Sequence, residues 1–89
     1  NRTKARANAL KHGVTFDEAR SVFYYYQARQ FFDEEHSESG DRFIMLGLSE
    51  RYRVLVVCHT VDVMEKAIRI ISARKATRKE RVFYLSYVR

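Results

Sequence analysis

With 89 residues, 46% hydrophobic and 13% aromatic, the chain is expected to fold as a single domain spanning residues 1–89 with a thin core; a domain of this size hides about 60 to 65% of its unfolded surface, and disorder is excluded as a default. No window approaches the roughly 18 consecutive apolar residues of a membrane span, and the basic N-terminal stretch lacks the apolar centre of a signal peptide. The lone Cys58 can form no intramolecular disulfide and lies in an apolar run, so a soluble protein of the reducing cytoplasm, with no membrane partner, is expected.

The net charge of +6 is uneven. Arg2, Lys4, Arg6 and Lys11 open the chain without an acid, the middle is acidic, and from Lys66 onward Glu80 stands alone among seven further cations ending at Arg89. Clustered cations repel unless a polyanion or an acidic partner offsets them, so two basic ends point to such a partner; the plain alternative is a solvated basic surface.

Residues 1–12 have high helix propensity, with Lys11 and His12 where cations favour a helix C-terminus and Gly13 as the stop. Thr15-Phe16-Asp17-Glu18 reads as a capping box opening a second helix, in which the Thr15 hydroxyl accepts from an amide and Glu18 reaches back to the cap. Phe16, Ala19, Val22, Phe23 and Tyr26 recur at helical spacing and should form its core face. Ala28 to Phe32 is a first strand, and Asp33 to Asp41 an acidic loop. Phe43 to Leu48 and Tyr52 to Val61 form a hairpin around Ser49-Glu50-Arg51, and Ala67 to Ala73 is the last strand. Thr77-Arg78-Lys79-Glu80 is a second capping box, starting a C-terminal helix. Two helices, three or four strands and a helix make an α+β domain with an antiparallel sheet.

Alternation places Leu55, Val57 and His59 on one face of their strand, and Arg69 with Ala67, Ile71 and Ala73 on one face of the last strand, the face expected to be less covered by helices. An arginine among isoleucines is costly to bury unpaired, so Arg69 is either paired with an acid such as Asp41 or Glu65 or held for a ligand. Arg74, Lys75, Arg78, Lys79 and Arg81 follow it, with Tyr84 and Tyr87 on the helix. Guanidinium groups match phosphate oxygens and rings stack unpaired bases, which suits single-stranded RNA. A solvated basic helix with its aromatics in the core is the bland reading. His59 would suit proton transfer if it shared the open face with Arg69; otherwise it is a hydrogen-bonded, half-buried histidine. Asp33-Glu34-Glu35-His36 has no second cluster at ligand spacing, and neither a phosphate-cradling glycine loop nor a nucleophile motif is present, so no metal or other cofactor is expected.

Asn8 to Ala19 resembles the N-x-x-K-H-G-V-x-F-x-E-A signature of the BrnT family, ribonuclease halves of bacterial type II toxin–antitoxin pairs. Arg42-Phe43 before a strand bearing Gly47, Val56-Val57-Cys58-His59-Thr60, and Ile68 to Thr77 with Glu80, Arg81 and Tyr84 follow in the family's order. The resemblance implies a RelE-like fold with helices on one side of the sheet and an RNA-facing surface on the other. It further implies RNA cleavage that arrests translation, neutralisation by a BrnA-like ribbon-helix-helix antitoxin, and contact with operator DNA only through that complex. By position it implies Arg69 and Arg74 at the phosphate, His59 and Tyr84 as proton-transfer or positioning groups, and Arg42 as a further phosphate contact or a structural ion pair. The family usually opens with a short strand and a Trp-Asp pair, so an edge strand is expected to be missing here, and Tyr24-Tyr25-Tyr26 stands where members often have Asp-Pro. The expected chemistry is metal-independent attack of the RNA 2′-hydroxyl on its own phosphate. The rival reading is a non-catalytic basic module that binds nucleic acid, and a third makes the basic ends a dock for an acidic protein.

Overall fold

The computed structural model describes residues 2–88. Helix α1 (Arg2–His12) ends where Gly13 enters the left-handed region at φ +68°, its amide donating to the Ala9 carbonyl at 2.9 Å. A glycine adopts this C-terminal turn without the penalty a Cβ would bring. Helix α2 (Phe16–Val22) begins on Thr15, whose hydroxyl accepts from the Glu18 amide at 3.0 Å. The other half of the expected box is not made. The Glu18 side chain turns instead to Ser49 and Arg53, where it accepts from Ser49 Oγ at 2.6 Å and from Arg53 Nε at 2.9 Å. A buried carboxylate gains more from a guanidinium than from one cap amide.

The α2 core face is shorter than its spacing predicts. Ala19 and Val22 are fully buried and Phe23 packs beside them, but Tyr26 is 83% exposed. The chain leaves the helix after Val22, so helical phase no longer governs where Tyr26 points, and Tyr25 turns to the opposite side of the molecule.

Strands β1 (Arg29–Phe32), β2 (Phe43–Leu48), β3 (Val54–Asp62) and β4 (Ala67–Lys75) form an antiparallel meander in the order β1-β2-β3-β4. The expected hairpin turn is present, and a short 3-10 turn (Glu34–His36) lies in the acidic loop. Gly47 is required by packing, because a Cβ there would lie 2.9 Å from Val22 Cγ1 and 3.0 Å from Ala28 Cβ. Asn8 closes the outer edge of β4: its side chain accepts from the Ala73 amide at 3.0 Å and donates to the Ala73 carbonyl at 2.7 Å and the Val14 carbonyl at 2.9 Å.

Two cores flank the sheet. Val14, Ala19, Val22, Leu55, Val57 and Ala73 pack under α1 and α2, whereas Leu46, Val56, Ala76 and Tyr84 pack under helix α3 (Arg78–Val88). The expectation that the helices share one side is therefore corrected: α3 crosses to the other face, drawn by Tyr84 and Val88, four residues apart. Its capping box is complete, with the Glu80 amide donating to Thr77 Oγ1 at 3.2 Å and the Thr77 amide to Glu80 Oε1 at 2.8 Å.

One irregularity decides the side-chain geometry. Cys58 pairs with Ser72 but His59 pairs with Ile70, so Ile71 is an extra residue in β4. A β-bulge of this kind shifts the alternation by one position.

Candidate nucleic-acid interface

In an unbroken strand Arg69 and Arg74, five residues apart, would point to opposite faces. The bulge cancels that. Arg74 pairs with Val56, whose side chain is in the core under α3, and Arg69 pairs with Thr60, which has the same parity as Val56 along β3. Ile70, next to Arg69, packs into the opposite core with Ala73. Arg69 therefore shares a face with Arg74 rather than with Ala73, correcting the alternation read from sequence. Arg42 joins them by register: its carbonyl accepts from the Asp33 amide at 2.8 Å, extending the β1-β2 ladder, and it lies two residues before Ile44, which belongs to the α3-side core. Beyond the reach of α3, register gives this face Arg42, Thr60, Arg69 and Ser72, and at the β4 border Thr60 and Arg69 also line a cleft with Lys4, Phe16 and Arg20.

The three arginines are held differently. Arg74 donates to both oxygens of Glu80, at 2.7 and 2.8 Å, which fixes its guanidinium plane. Those hydrogen bonds lower the Glu80 carboxyl from its ordinary 4.5 to about 2. Arg69 lies 3.6 Å from Glu65 with both side chains about two-thirds exposed, a pairing worth at most about 1 kcal/mol and readily exchanged for a phosphate. The Arg42 guanidinium has no partner among the described residues. Because Glu80 is depressed in the folded state, its contribution to stability is full above pH 4.5 and disappears as pH falls toward 2. Thermal unfolding across that window should show the loss, and Glu80→Gln should flatten the profile there.

Of the flanking cations, Lys75 pairs with Leu55 and so has the parity of the α1/α2 face, away from Arg74. Arg78 and Lys79 are exposed on the first turn of α3, and Arg81 donates back to the Ala76 carbonyl at 3.0 Å.

His59 and Tyr84 do not join the arginines. His59 is fully buried on the α1/α2 face, edge-on to Phe23 at 4.9 Å, with Nε2 2.9 Å from Gln30 Oε1 and Nδ1 3.2 Å from the Val57 carbonyl. Burial lowers its pKa, so the ring is neutral at pH 7 and ties β1 to β3. Tyr84 is 3% exposed and donates to the Gln27 carbonyl at 2.6 Å; burial raises its pKa. It braces α3 against the entry to β1.

Two groups escaped the sequence reading. The Glu18–Arg53–Ser49 cluster was hidden because Glu18 also fitted a capping role, and Asn8, the first residue of the motif, carried no structural signal beyond its place there. Asp33, Glu35 and His36 bring carboxylate and imidazole atoms within 4.8 Å of one another, but His36 Nδ1 already bonds the Asp33 carboxylate at 3.0 Å, which accounts for their closeness.

The fold and this face define a small basic α+β domain presenting arginines to solvent on an uncovered stretch of sheet. Residues 1–80 match the family described as the ribonuclease toxin, BrnT, of type II toxin–antitoxin systems, and the chain belongs to that family. Membership assigns it to the ribonuclease toxins, with RNA as the target and an antitoxin as the partner. A search of curated proteins finds no match. No described helix is long and apolar enough to cross a membrane.

Proposed function

We propose that the chain is a metal-independent endoribonuclease whose phosphate site is formed by Arg42, Arg69 and Arg74. The observation that carries this reading is the bulge at Ile71, which turns Arg69 and Arg74 of β4 onto one open face, the face that Arg42 joins from the start of β2. Arg74, oriented by Glu80, receives the phosphate in a fixed geometry, and Arg69 exchanges Glu65 for a phosphate oxygen. Arg78, Lys79 and Arg81 take neighbouring phosphates along the rim, and Lys75 approaches from the strand's other side.

In the reaction the RNA 2′-oxygen bonds to phosphorus, the bond from phosphorus to the 5′-oxygen breaks, and the products are a 2′,3′-cyclic phosphate and a 5′-hydroxyl. The 2′-hydroxyl proton leaves to water and the 5′-oxygen takes one from water. The arginines stabilise the added negative charge of the pentacoordinate phosphorus, and such preorganised donors account for a large part of catalysis in comparable sites. His59 and Tyr84 serve as positioning residues: one holds β1 to β3, the other holds α3. Cleavage of messenger RNA in the cytoplasm would stop translation. A ribbon-helix-helix antitoxin would neutralise it, and operator DNA would be reached only through that complex.

Incubation of the purified chain with RNA in excess EDTA should yield fragments ending in 2′,3′-cyclic phosphate. Intact RNA, with a normal unfolding transition for the protein, would sink the metal-free nuclease. The second reading, a non-catalytic module, draws on the burial of His59 and Tyr84 away from the arginines. It predicts salt-sensitive RNA retention without product.

A further inference from the structure

Helix α3 buries little of what it carries. Tyr84 is inward, yet Val82 is 62% exposed, Leu85 54%, Tyr87 55% and Phe83 45%, in an element of 11 residues. Phe83 and Tyr87 lie 5.1 Å apart and both lean on Phe31, so these two rings are seated on the sheet while keeping about half their surface open. Exposed apolar area of this extent on one short helix marks an interaction site. The spacing adds a direction. Arg78, Val82 and Leu85 fall at intervals of four and three, and Lys79, Phe83 and Tyr87 at intervals of four, so two apolar rows on the helix each begin with a cation. The helix is basic at its start and apolar beyond.

We infer that this outer surface of α3 docks the antitoxin, and that the segment it receives wraps the helix, with apolar side chains for the Val82–Leu85 row and the Phe83–Tyr87 row and an acidic end facing Arg78 and Lys79. The inference rests on the family assignment for the existence of the partner and on charge complementarity for its character. A second copy of this chain fits poorly. With a net charge of +6 it would bring Arg78 and Lys79 against like charges, and Glu80, the acid of α3, is already held by Arg74. Docking here also explains neutralisation, because a partner on α3 lies along the rim of the sheet face that carries Arg42, Arg69 and Arg74.

The test is the affinity of the purified chain for its cognate antitoxin, measured calorimetrically for wild type and for the double variant Val82→Gln, Leu85→Gln. Both positions face solvent and neither belongs to the proposed phosphate site, so the unfolding midpoint and RNA cleavage should be unchanged. Affinity should fall roughly 100-fold or more, as for loss of a central hot spot. Unchanged antitoxin affinity overturns the inference. So does sedimentation showing a wild-type homodimer that the double variant abolishes while the antitoxin still binds. If the double variant loses the antitoxin but the wild-type chain leaves RNA intact, the docking surface stands and the nuclease proposal fails.

Discussion

Arg69→Ala should slow RNA cleavage by roughly 10²- to 10³-fold, the cost of losing one preorganised donor to a developing negative charge. The fold should hardly notice, because the Arg69 side chain is 69% exposed and its contact with Glu65 is loose. Single-turnover rates and thermal unfolding, measured together, separate the two effects. Arg69→Lys should fall between alanine and wild type, since an ammonium keeps the charge but loses the planar fork that spans two phosphate oxygens. Near-wild-type turnover by the alanine variant would remove Arg69 from the site, and with it the significance of the bulge. Arg74→Ala cannot serve as the first test, because it also frees Glu80 and loosens the start of α3.

Arg53→Ala should destabilise the fold by about 3 to 5 kcal/mol, the range for removing one partner of a buried pair and leaving the other charge behind. Glu18 is 2% exposed and takes hydrogen bonds from Arg53 and Ser49, while Arg53 also donates to the Gly13 carbonyl at 3.1 Å. In a domain of this size, that loss lowers the melting temperature by more than about 12 °C. The pH profile gives a second signature. In the wild-type chain the Arg53 hydrogen bonds hold the Glu18 pKa low, so stability is lost as pH falls. In the variant, burial without a cation raises that pKa, so stability should instead be lost as pH rises through the carboxylate range. Arg53→Ala with an unchanged melting temperature would show that Ser49 alone satisfies Glu18.

The strands, the three helices and the second capping box were legible because each rests on local chemistry: alternation, helical spacing, and a threonine three residues before a glutamate. The arginine cluster was legible as composition. Its geometry was not, because nothing about Ile71 distinguishes a bulged isoleucine from a paired one; the extra residue exists only in relation to β3. The same limit applies to His59. Its strand was read correctly, but whether its face lies under α2 depends on how the helices pack. Glu18 shows a different failure, in which a residue satisfied a local rule and a stronger tertiary partner, Arg53, claimed it. The side chosen by α3 was likewise a tertiary matter, since the residues that decide it, Leu46 and Val56, are far away in sequence.

Asn8 has a consequence for growth of the sheet. By offering an acceptor to the Ala73 amide and a donor to its carbonyl, one amide side chain imitates a neighbouring strand for the length of a single residue. The β4 border is thereby blunted, while β1 at the far border has no strand beside it among the described residues. At Ala73, an extended segment from another chain would meet a side chain already in the place of a neighbouring strand.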